Sequence, residues 1–322
     1  AHWSNVSGAN PRLLGHHVQT TLKSLIRFTG VGLHSGAPVR MTIHPASASY
    51  GIWFRRTDVA DSDAMIPARY NSAVQSPLCT RLVNADGIEV STVEHVMAAL
   101  AGCGVHNALL EIDGPEVPIL DGSAALFVEA IMKRGLQVLD APVHAIEVLR
   151  QVSVTQGDST ATLSPAKTTE MDFSIDFTDA AIGHQEKRLV LANGTFVREL
   201  ANSRTFCRQA DVEVMRENGL ALGGTYDNAV VVDGDQVLSP GGLRHADEAV
   251  RHKMLDALGD LALAGAPLLG RYTGVRAGHT LTNKLLHALF ADPLAYRIVT
   301  CTQTQLDNLP GAGLHMSDLA AV

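Results

Sequence analysis

The sequence has no excess of basic charge, no long apolar run and no paired cysteines, and each absence removes a class of function. With 25 Lys and Arg against 33 Asp and Glu, the formal net charge is -8 at pH 7. Non-specific nucleic-acid binding needs a dense set of cations to release counterions, so it is excluded, and any anionic ligand must meet a local basic patch. No apolar stretch approaches the ~20 residues that span a bilayer, and the first residues lack the basic-then-apolar order of a signal peptide. The four cysteines, Cys79, Cys103, Cys207 and Cys301, lie far apart with no CxxC spacing. They read as free thiols in a reducing compartment, the cytoplasm, rather than as a disulfide scaffold.

What is present is enough for a large core. The 322 residues are 46% hydrophobic and 18% charged, a globular composition, and the length predicts two domains. Ala1 to His17 carry no periodicity and read as a loose arm, so residues 1–18 are set outside the fold. Alternating β-branched residues predict strands near Thr21 to Phe28, Val39 to His44 and Gly51 to Arg56. At Ser91-Thr92-Val93-Glu94 the pattern becomes that of a capping box, predicting a helix that ends at Gly102 or Gly104. A strand over Asn107 to Ile112 and a helix opened by Ser123 and stopped by Gly135 complete an α+β unit, 19–141. Pro142 is read as a connection. From His144 the strands resume (His144 to Val154, Ala161 to Leu163, Met171 to Phe177), so a second domain is expected over 142–305 and a tail over 306–322. Within it come a helix from about Asp247 to Ala264, a strand near Leu268 to Val275 and a helix from about His279 to Phe290. Residues 206–228, with Leu222-Gly223-Gly224-Thr225, interrupt the plan as an insert. The glycine pair there reads as a tight turn before it reads as a phosphate cradle. The halves share an echo: Gly102 follows His95 by seven residues, and Gly259 follows His252 by seven.

The chemistry lies in those helices. His252 and Asp256, four residues apart, stand on one helix face and can reach one metal ion; Asp260 extends the polar stripe, while Val250, Met254, Leu255, Leu258 and Leu261 turn to the core. Alone, such a pair also describes a solvated face with an ion pair. His95 would complete the two-histidine, one-carboxylate set of a catalytic zinc with an open position. Glu94 beside it is either the capping glutamate or the base that takes a proton from water acidified by the metal. His279, near a helix N-terminus, could cap that helix or act as an acid if a carboxylate such as Asp260 restores its charge. Two histidines and a carboxylate also fit a non-haem iron oxygenase, which needs no adjacent base. A sugar-nucleotide binding protein with a structural zinc would need a fourth protein ligand.

Read together, Thr29-Gly30-Val31-Gly32-Leu33-His34-Ser35-Gly36, Ser91-Thr92-Val93-Glu94-His95 and Pro118-Ile119-Leu120-Asp121-Gly122-Ser123-Ala124 form a series of motifs. Ser203-Arg204-Thr205-Phe206, Leu222-Gly223-Gly224, Val250-Arg251-His252-Lys253-Met254-Leu255-Asp256 and Gly278-His279 continue it. The series, from about residue 19 to 305, resembles the UDP-3-O-acyl-N-acetylglucosamine deacetylases of Gram-negative bacteria, which catalyse the committed step of lipid A biosynthesis. The resemblance implies two similar α+β domains with helices sandwiched between two mostly antiparallel sheets, each domain carrying a small insert. It implies one catalytic Zn2+ at the domain junction, held by His95, His252 and Asp256, with Glu94 as base. It further implies His279 as general acid or electrostatic partner oriented by Asp260, and Thr205 as support for the oxyanion. Lys253 and Phe206 would line the substrate site, Cys79 would lie near the metal, and the insert at 206–228 would shape an apolar passage for the fatty-acyl chain. Cys207-Arg208 stands where some members carry glycine, which bears on the width of that passage. The expected partner is the UDP-acyl-glucosamine substrate alone, with no nucleic acid and no membrane segment, and the chain is expected to be a monomer.

Overall fold

A computed structural model describes residues 18–321; the expected loose arm therefore lies outside the described residues, except for Val18, which opens a strand. A first sheet of five strands runs in the order Ile26–Val31, Pro38–Pro45, Ala108–Ile112, Ile52–Arg56, Met65–Pro67. Its pairs are antiparallel except for Ile52–Arg56 beside Ala108–Ile112. A second sheet of seven strands is built around Leu268–Val275, with Ser159–Ser164 on one edge. His144–Val148 and Thr169–Asp176 also pair with it, both parallel.

Among the described residues there are six α-helices, all but the third and the sixth packed between these sheets. In chain order they are α1 (Glu94–Gly102), α2 (Ala125–Arg134), α3 (Gln209–Glu217), α4 (Glu248–Leu261), α5 (His279–Ala291) and the short α6 (Gln303–Leu306). α2 packs on Ile26–Val31 of the first sheet. α4 packs on Thr169–Asp176 and His184–Val190, and α5 on Val152–Gln156 and Ser159–Ser164 of the second. α1 packs against both α2 and α4, which joins the two halves through helices rather than through sheet edges. This is the α+β sandwich expected from the sequence. Each half also carries a small three-stranded sheet as an insert: Ala73–Val74, Arg81–Val83 and Glu89–Ser91 in the first, and Phe206–Arg208, Val230–Asp233 and Gln236–Val237 in the second.

Several local expectations change. The strand expected over Thr21 to Phe28 is two strands, Val18–Leu22 and Ile26–Val31, because the chain bends at Lys23 and leaves one sheet for another. Pro142 ends the strand Leu136–Pro142, which pairs with Val18–Leu22; only Val143 separates it from His144–Val148. A proline without an N–H is tolerated there because the ribbon has only two strands and leaves that edge unpaired. The run from His144 to Val154 breaks at Leu149–Gln151 into two strands. Ser91 does not cap α1. It belongs to the strand Glu89–Ser91, Thr92 adopts a left-handed conformation (φ 58°), and the helix starts at Glu94 with no side-chain cap. The C-terminal segment is structured: Leu306 and Leu309 pack with Val143, Ala145 and Leu269 in a small apolar cluster separate from the main core. Among the described residues no helix is long and apolar enough to cross a membrane.

Candidate metal centre

The crossing of α1 and α4 is unusually close because Gly259 has no side chain there. A methyl group at that position would overlap the main-chain carbonyl of Glu94. Close approach at Gly259 brings Glu94 and His95 on α1 against the face of α4 that carries His252, Asp256 and Asp260. Those residues are buried, at 3%, 4%, 2%, 8% and 3% exposure. The solvated-face reading of the His252–Asp256 pair is thereby ruled out. Gly102, the echo of Gly259, packs instead under the ring of Phe196, so the two glycines serve different neighbours.

Three donor atoms converge. Asp256 Oδ1 lies 3.2 Å from His95 Nε2 and 3.2 Å from His252 Nε2, and the two rings meet edge to face at 4.9 Å between centroids. Asp256 Oδ1 is buried yet has no hydrogen-bond partner, an arrangement that costs roughly 1–3 kcal/mol if nothing else binds it. A tetrahedral metal with arms of about 2.0–2.1 Å sets neighbouring ligand atoms about 3.3 Å apart. The spacing therefore fits an ion held by these three residues. His252 Nδ1–H donates to the Ser203 carbonyl at 2.8 Å, which leaves Nε2 with its lone pair toward the centre.

Across from this trio, Glu94 Oε1 lies 3.8 Å from His279 Nε2 and its Oε2 accepts from the Thr80 N–H at 3.0 Å. Burial pushes the Glu94 carboxyl up to about 7, although His279 and His95 pull against it. Burial would also push the His279 imidazole down, but Asp260, Glu94 and Asp256 outweigh it and hold it up at about 10. His279 Nδ1–H donates to Asp260 Oδ2 at 2.7 Å, which turns Nε2 toward the centre. His279 opens α5 after Gly278, where the helix dipole alone would oppose its charge. The pair can remove a proton on one side of a bound group and deliver one on the other.

The centre opens into a cavity of about 870 Å³. His252, Lys253, Asp256, His279, Thr205 and Phe206 all line it. Thr205 is held by main-chain bonds on both sides, its N–H donating to Gly122 O and its carbonyl accepting from Val230 N, both at 2.8 Å. Among the described residues its hydroxyl has no hydrogen-bond partner. Cys79 does not reach this cavity. It lines a smaller one of about 170 Å³ on the other side of His279, and burial, with Glu94 behind it, pushes its thiol up to about 11.

Three carboxylate or hydroxyl residues that sequence reading passed over hold the centre in place. Glu116, 3% exposed, accepts from the His34 and Ser35 N–H groups and from the Thr92 hydroxyl, and so fixes the left-handed residue that leads into α1. Glu248, 1% exposed, accepts from the Arg204 and Arg244 N–H groups and pairs with the Arg204 guanidinium at 2.9 Å. That bond anchors Ser203, whose carbonyl orients His252. Thr80 touches both sides of the acid–base pair. None of the three falls within a motif read from the sequence; Glu116 and Glu248 each lie two residues before one, and Thr80 follows Cys79.

Residues 19–291 match the profile of the family described as UDP-3-O-acyl N-acetylglycosamine deacetylase. A UDP-3-O-acyl-N-acetylglucosamine deacetylase of Phenylobacterium zucineum is 49% identical over 282 residues, covering 88% of this chain and 96% of that protein. Proteins of the same name from Photobacterium profundum and from Shewanella sp. (strain W3-18-1) are 43% and 44% identical over 284 residues, in each case 88% of this chain. They span 93% and 92% of those proteins. With a match that covers both halves and a centre assembled from both, this chain belongs to the UDP-3-O-acyl N-acetylglycosamine deacetylase family.

Proposed function

We propose that this protein hydrolyses the N-acetyl group of UDP-3-O-(3-hydroxyacyl)-N-acetylglucosamine, releasing acetate, with one zinc ion held by His95, His252 and Asp256. The observation that carries the reading is the unpaired Asp256 Oδ1 set equally between two imidazole nitrogens, with a carboxylate and an imidazolium facing it. The zinc ion, when bound, acidifies water and polarises the amide carbonyl. Glu94 Oε1 takes the proton as water attacks the carbonyl carbon. The Thr205 hydroxyl donates to the oxyanion that forms. His279, fixed by Asp260, gives its Nε2 proton to the departing glucosamine nitrogen as the C–N bond breaks, and acetate is left. The acid–base pair favours hydrolysis over oxygen activation, which needs neither partner.

The cavity suits the rest of the substrate. Lys253 supplies a cation beside the centre for a diphosphate, and the wall carries apolar side chains, Phe206, Val214 and Met215 of the insert with Phe177 before it, among the polar Arg208, Asp211 and Arg216. Val214 and Tyr226 remain largely exposed there, as does Leu78 opposite, which fits an acyl chain that covers them on binding. Cys207, half-buried in the same wall, narrows it relative to glycine. We read residues 19–141 and 142–305 as the two domains, the insert as about 206–228, and the chain as a cytoplasmic monomer. Cys79 contributes near the metal from behind His279, on this reading.

The test is deacetylation of the UDP-acyl-sugar before and after chelation and after zinc is returned. Activity should vanish with the chelator and come back with zinc; activity that survives exhaustive chelation, or none under any condition, defeats the proposal.

A further inference from the structure

We propose that Thr80 is a positioning residue that locks the proposed base and acid into one unit, a role that rests on the reading of Glu94 and His279 given above. The residue comes from the insert of the first half, immediately before the strand Arg81–Val83, and is 6% exposed. Its polar groups are all engaged. The N–H donates to Glu94 Oε2 at 3.0 Å. The carbonyl accepts from the Val93 N–H, at the start of α1, at 3.4 Å. The hydroxyl donates to Asp260 Oδ1 in a short hydrogen bond and lies 3.2 Å from His279 Nδ1.

These bonds decide which atoms are free. With the Thr80 N–H on Oε2, the Glu94 carboxyl is turned so that Oε1 faces His279 Nε2. With Oδ1 of Asp260 occupied by the same residue, Oδ2 is the oxygen left for His279 Nδ1–H. A carboxylate on a single bond can rotate about its terminal torsion, which is broad; the hydroxyl removes that freedom for Asp260, and through it for the imidazole. Since Thr80 sits on the insert and its partners on α1, α4 and α5, the insert is part of the catalytic geometry and not only a wall of the cavity. The alignment of two proton transfers separated by 3.8 Å then depends on one residue, which holds Glu94 by its main chain and Asp260 by its hydroxyl.

Thr80→Val keeps the shape and the N–H but deletes the hydroxyl. Its kcat should fall about 10- to 100-fold, the loss expected when one buried hydrogen bond to a charged group is removed. KM and bound zinc should stay at the wild-type level. Thr80→Ser should restore kcat to within a few-fold, and Thr80→Ala supplies the same comparison if the valine variant folds poorly. In an Asp260→Asn background the Thr80→Val change should add little, because a residue acting through Asp260 cannot act twice. The downfield proton resonance of His279 Nδ1–H should move in Thr80→Val, a readout independent of turnover. Near-normal kcat in Thr80→Val, or losses that multiply in the double variant, would overturn the role. If Glu94→Ala also left turnover normal, the acid–base assignment itself would have failed; normal turnover in Thr80→Val alone, with Glu94→Ala inactive, would remove only Thr80.

Discussion

The two helices that meet at the centre are built to opposite plans. α1 is short and is buried along almost its whole length, and it is entered through the left-handed Thr92 that Glu116 holds with three donors and no cation. α4 is longer and starts on the buried carboxylate of Glu248, which is neutralised by Arg204. α4 contributes two of the three proposed metal ligands on one face, so their spacing is set by helix geometry alone. α1 contributes one, so its placement depends on the crossing at Gly259 and on the residues that hold its entry. Precision within one helix comes from local geometry, and precision between two must be built by long-range contacts.

The largest effect should come from the residue that only one helix supplies. Glu94→Ala should keep its zinc and lose about 10²- to 10⁴-fold in kcat, the usual range for a general base; steady-state kinetics with metal analysis check this, and near-normal turnover would contradict it. Next, Glu248→Gln should cost about 3–5 kcal/mol, because it strands a buried guanidinium, whereas Glu116→Gln should cost less, about 1–3 kcal/mol, since no cation is left behind. Denaturant unfolding of both variants decides between them, and a reversed order would mean that the uncharged anchor is the stronger one. Gly259→Ala should destabilise by about 1–3 kcal/mol through overpacking against main chain and weaken zinc binding as the helices part. Gly102→Ala should be milder, because the neighbour it meets is the side chain of Phe196. Equal losses in the two glycine variants, seen by thermal unfolding and zinc titration, would show that the echo reflects equivalent packing after all.

How much of this was legible in the sequence follows the same division. The pair on α4 could be read from its spacing, as could the apolar residues behind it and most strands with clear alternation. His95 could be added only as a candidate, because nothing local shows that its helix crosses α4. The capping-box reading failed because the strand and the turn at Thr92 are imposed by Glu116, 24 residues away. The hydroxyl of Thr80 finds Asp260 across 180 residues, and no window of sequence contains both. Strand Leu136–Pro142 was missed because its partner, Val18–Leu22, is more than a hundred residues earlier and its proline argues locally for a turn.

The central claim, that the two helices together form one metal centre, is tested most directly by X-ray absorption at the zinc edge of the loaded protein and of His95→Ala and His252→Ala. The account predicts two imidazoles with oxygen ligands at about 2.0–2.1 Å in the wild type and one imidazole fewer in each variant. A sulfur neighbour at about 2.3 Å, or an unchanged spectrum when either histidine is removed, would contradict it.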